Sequence, residues 1–165
     1  MRAATLALIA LLALPCGAAE FDLSPEHQAI DFLVGHWATT SLFPGSGVEA
    51  PGDLAYEWVL GGAWLRITFF GRHPERPIWE AHGLMRWNAD ADNYQSVVFF
   101  GAEEPTTMSG ELIDGRTLRI SYPDGKGGID YTPTDEGAVY QENWAIDPAT
   151  GERRIVLETD YAPVD

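Results

Sequence analysis

Three polar side chains recur at even spacing in the segment IWEAHGLMRW: Glu80, His82 and Arg86. On an extended strand they share one face. A carboxylate, an imidazole and a guanidinium held together can orient a ligand or relay a proton. The same alternation sets Trp79, Ala81, Gly83, Met85 and Trp87 on the opposite face. Burying the aromatic face is favoured, because the polar one carries three ionisable groups that would all need partners. Glu80, His82 and Arg86 are therefore expected to face water, with Trp79, Met85 and Trp87 inside. A second candidate lies in AVYQENWAI, where Tyr140, Glu142 and Trp144 alternate with Gln141 and Asn143. If Trp144 points inward, Glu142 goes with it, and an acid in an apolar interior must be paired or have a raised pKa.

Other chemistries lack their residues. The chain has no Gly-x-Ser-x-Gly elbow, no His-Glu-x-x-His and no EF-hand spacing. The glycines and lysine of PDGKGGIDY lack the strand–loop–helix setting of a phosphate loop and are expected to form an ordinary loop. The single cysteine, Cys16, falls in the apolar N-terminal run, so the rest of the chain offers neither a disulfide nor a thiolate ligand.

That N-terminal run has the form of a secretory leader. Arg2 precedes an apolar stretch to Leu14, and small residues end at Ala19. The expected leader is 1–19, with cleavage before Glu20 and a secreted or periplasmic product. The apolar stretch is shorter than the ~20 residues of a membrane span. Pro15 before Cys16 argues against lipidation, which wants a small residue there. Residues 20–165 have the size of one domain. The net charge of −15 repels phosphate backbones and anionic headgroups, so nucleic acid is not an expected partner.

The elements that must position these residues are mostly strands. LSPEHQAIDFLVG predicts one short helix, with Ser24 as N-cap, Pro25 in the first turn, Ile30, Leu33 and Val34 at helical spacing, and Gly35 as the stop. Beyond it, about nine short apolar-alternating runs are separated by turn residues, among them Gly61-Gly62 and Asp114-Gly115. The stretch PDGKGGIDYTPTDEG is expected to be a long loop. Leu65, Ile67 and Phe69 alternate with Arg66 and Thr68, and Leu118, Ile120 and Tyr122 with Arg119 and Ser121. One apolar and one polar face predicts an antiparallel up-and-down sheet, and closure into a barrel removes its edges.

A short helix followed by Gly35-His36-Trp37 at the head of such a meander resembles the lipocalin-like (calycin) barrels. More specifically, DFLVGHW, EWVLGGAWL, GLMRWNADADNY and GELIDGRTLRISY, in that order, resemble the bacterial family called domain of unknown function 1579. The likeness runs from Asp31 to about Tyr161. It implies a barrel whose closed end is plugged by Gly35 and Trp37, with a basic residue of the last strand, Arg153 or Arg154, packed over the Trp37 ring. It implies no chemistry. The nitrobindins, barrels of this general kind, hold haem through a late-strand histidine, and here no histidine follows His82. No cofactor and no metal are implied.

The aromatic content carries the functional expectation. Six tryptophans, with Phe69 and Phe99, can line a small-molecule lumen or fill a solid core. The reading adopted is a barrel that binds a small apolar or amphipathic ligand, with Phe69, Trp79, Met85, Trp87, Glu142 and Trp144 facing it. The alternatives are a filled barrel serving as an envelope interaction domain, and an enzyme built on Glu142 or on Glu80 and His82 at the barrel mouth.

Overall fold

The computed structural model describes residues 22–75, 79–101 and 103–164. The expected leader, with Cys16 and the Ala19–Glu20 junction, lies outside the described residues. Helix α1 (Pro25–Ala29) opens the fold, followed by a 3-10 turn at Asp31–Leu33. Ser24 caps α1 by accepting from the His27 N–H, with Pro25 in the first turn, as the sequence predicts.

Ten antiparallel strands follow: β1 (Gly35–Phe43), β2 (Val48–Val59), β3 (Trp64–Gly71), β4 (Glu80–Asn88), β5 (Asn93–Phe100), β6 (Thr106–Ile113), β7 (Thr117–Ser121), β8 (Gly127–Pro133), β9 (Val139–Ile146) and β10 (Arg153–Pro163). Each pairs with its sequence neighbours, and β10 returns to pair with β1, so the sheet is a closed barrel with no edge strand. The strand that was not expected is β8, which crosses the stretch read as a loop. Its Gly127-Gly128 start and Thr132-Pro133 end resemble turn chemistry, but its centre, Ile129 to Tyr131, pairs with both β7 and β9. The turn around Gly61-Gly62 is also longer than a two-residue hairpin, since Val59 pairs with Trp64 across four residues.

The helical segment covers one end of the barrel. Ile30 and Leu33 are fully buried there, and Trp37 is almost so. The Trp37 indole N–H donates to the Leu33 carbonyl at 2.8 Å. Gly35 has φ +149°, a conformation L side chains rarely adopt, and a Cβ there would press on the Trp37 ring at 3.3 Å. Further latches tie the helical segment down: Tyr94 O–H donates to the Glu26 carbonyl at 2.7 Å, the Trp58 indole to Asp31 of the 3-10 turn at 2.8 Å, and the Trp87 backbone N–H to His27 Nε2 at 3.2 Å.

Arg154 takes no part in this end. In the register Trp37 lies opposite Pro163, at the far end of β10 from Arg154, which pairs with Ala145. Nine residues of extended chain separate Arg154 from Pro163, roughly 30 Å at strand rise. The Trp37 ring meets Tyr161 instead, with centroids 6.1 Å apart.

Candidate functional site

The strict alternation of ten paired strands turns one side chain in two toward the barrel axis. Between the helix-covered end and the opposite mouth they enclose a cavity of about 680 Å³. Its two walls differ. Leu54, Ile67, Phe69, Met85, Val98, Met108 and Ile120, from β2 to β7, make an apolar wall. The adjoining strands β9, β10 and β1 present Gln141 and Asn143, Thr159 and Tyr161, and Thr39 and Ser41.

Most of these polar groups hydrogen-bond to one another. Ser41 Oγ and Thr159 Oγ1 are 2.9 Å apart across the β1–β10 seam. Tyr161 O–H donates to Gln141 Oε1, and Gln141 Nε2 donates to Asn143 Oδ1. Tyr56 and Tyr131 flank this wall, their rings edge-to-face with centroids 6.4 Å apart. Burial pushes the phenols of Tyr56, Tyr131 and Tyr161 well above their ordinary pKa, so all three are neutral donors at physiological pH. Thr39 Oγ1 is buried without a hydrogen-bond partner. The charged residues bordering the cavity, among those described, are Glu80 and Glu103, both at the mouth.

Of the residues expected to face a ligand, Phe69, Trp79 and Met85 line the cavity. Trp79 stands at the mouth in an aromatic group with Phe69 at 5.0 Å, Phe43 at 5.5 Å and His73 at 5.9 Å. Trp87 has the same strand phase but lies at the closed end, against Tyr94 with centroids 5.0 Å apart, and does not reach the cavity. Glu80 and His82 come within 3.9 Å of each other, both partly exposed, and Arg86 stacks on Trp64 at 4.9 Å.

Glu142 and Trp144 require a correction. They point out of the barrel, and it is Gln141 and Asn143 that point in. The physical reason is a partner set supplied by the unexpected β8. Trp144 crosses the bare backbone of Gly128, where a Cβ would come within 2.7 Å of its ring, and its indole donates to Asp130 at 3.1 Å. Arg119 grips Asp130 through two hydrogen bonds of 2.9 and 2.7 Å, and Arg153 through one of 2.9 Å. Both guanidiniums also stand over the Trp144 ring, at 5.7 and 5.1 Å. Glu142 pairs with Arg153 at 3.1 Å on this outer surface. An indole covered by two arginines needs no interior. Glu142 therefore lies outside the lumen, whereas Glu80 borders the cavity at its mouth with His82 3.9 Å away.

The residues that the sequence reading missed are the polar wall. Thr39 and Ser41 share the phase of Trp37 on β1, a signal visible in the sequence once Trp37 is set inside. Tyr131 was hidden by the loop reading of β8. A scan against protein-family models finds no match, and a search of curated proteins finds none either. Among the described residues no helix is long and apolar enough to cross a membrane, and no three metal-ligating side chains cluster.

Proposed function

We propose that the protein binds a small amphipathic molecule inside the barrel. The observation that carries this reading is the 680 Å³ cavity with one apolar and one hydrogen-bonding wall. Ligand sites of about 300–1,000 Å³ commonly have this make-up, a largely apolar lining with few polar groups that fix orientation. A barrel filled by its own side chains would offer no such volume. The resemblance to domain of unknown function 1579 is part of the same proposal, as is export by the 1–19 leader; sequencing of the protein from an exporting host should begin at Glu20, and a lipid on Cys16 would overturn that.

Binding is tested with N-phenyl-1-naphthylamine, an uncharged dye that brightens in apolar surroundings. The wild-type protein should bind it saturably. Ile129→Trp places a bulky ring in mid-lumen, where Ile129 lines the cavity, and should abolish the signal. Equal brightening in both proteins would place the dye elsewhere and sink the proposal.

A further inference from the structure

The polar wall carries information about the ligand's charge. Its side chains are hydroxyls, phenols and carboxamides, and none is ionised. A carboxylate or phosphate entering the lumen would leave water without meeting a cation, which is strongly disfavoured. The approach adds to this, since Glu80 and Glu103 border the mouth and the chain carries a net charge of −15. A buried cation would fare no better, because those two carboxylates are at the rim and the deep wall has none.

The hydrogen-bond pattern identifies what the wall offers. The chain from Tyr161 O–H to Gln141 Oε1, and from Gln141 Nε2 to Asn143 Oδ1, runs in one donor direction and ends on the Asn143 amide nitrogen. Ser41 and Thr159 satisfy each other. Thr39 Oγ1 also lacks a partner, but it is sealed against Gly52 with no surface open to the cavity. The donor that the wall offers a ligand is therefore the Asn143 amide, on a residue that lines the cavity.

Resting on the lumen being a ligand site, we infer that it selects an uncharged molecule with an oxygen acceptor, a carbonyl or ether-type oxygen, seated on the β9–β10–β1 wall, and that it rejects the carboxylate of the same skeleton. The alkyl portion of such a ligand lies on the β2–β7 wall.

Methyl decanoate and decanoate test this, since they share a chain and a carbonyl and differ in charge at pH 8. Each is titrated against the bound naphthylamine dye. The ester should displace it at a concentration at least tenfold lower than the acid. Equal or tighter binding of decanoate would overturn the inference while leaving the lumen site in place. Failure of the dye itself to bind would remove that site, and the inference with it.

Discussion

At the scale of single residues, one carboxylate organises the outer wall. Asp130 is buried, and burial alone would push its pKa up. The hydrogen bonds from Arg119, Arg153 and Trp144 more than offset this and hold it below the usual carboxylate range. Its charge is therefore a stabilising feature that is present above the unfolded-state pKa and lost as pH falls through the lower folded value. Asp130→Ala should cost about 3 kcal/mol in urea unfolding, the low end for a broken buried pair because both guanidiniums are about a third exposed. The loss should shrink in acid, as the wild-type carboxyl protonates. An Asp130→Ala midpoint equal to that of the wild type at pH 7 would show the cluster to be ornament. Trp144 teaches a related point about reading aromatics: its orientation was decided by Asp130 and two arginines, not by its hydrophobicity.

At the scale of elements, α1 is too short to be stable by itself and is held by what it touches. One latch depends on protonation. His27 Nε2 accepts the Trp87 backbone N–H, so it must carry a lone pair. Its Nδ1 stands 3.3 Å from the Ser24 hydroxyl, and its ring meets Trp58 edge-on at 5.0 Å. Burial lowers the His27 pKa, and the nearby Glu26 carboxylate only partly opposes that. A lowered folded-state pKa means that the unfolded chain takes up the proton first. Stability is thus full above the ordinary imidazole pKa of about 6.5, falls as pH drops below it, and levels off beneath the folded value. Glutamine can accept the same N–H without titrating. Urea midpoints at pH 7.5 and 5 should therefore drop less for His27→Gln than for the wild type. Parallel drops would mean that the latch does not sense protons.

For the whole molecule, closure and hollowness go together. The β1–β10 seam leaves no edge, and the ten-strand circumference leaves more interior than the inward side chains fill. This makes Ile129→Trp informative beyond dye binding. In a filled core an added ring of this size strains its neighbours by about 1–3 kcal/mol. Here it should enter the cavity with a change in unfolding free energy of less than about 1 kcal/mol. A larger loss would indicate that the interior is tighter than its volume implies.

Local chemistry alone determined much of this protein. Period-two alternation in β3 and β7 oriented their faces correctly, because each sets clearly apolar side chains against clearly polar ones; around β4 it put Trp79 and Met85 inside, but Glu80, expected in water, borders the cavity mouth. Ser24, Pro25 and Gly35 marked the helical segment, because caps and φ constraints act within a few residues. The phase of β9 was not legible, since Gln141 and Asn143 make one face polar while Glu142 beside Trp144 makes the other mixed, so neither is clearly apolar. Only the pairing with β8 broke that tie, by bringing Asp130 and Arg119 under Trp144. The position of Arg154 was likewise beyond local reading, because the register of β10 against β1 fixes which of its ends meets Trp37. The polar wall was decided by closure itself. Ser41 lies on the first strand and Gln141 and Thr159 on the last two, and the Ser41–Thr159 hydrogen bond across the seam exists only once the last strand reaches the first.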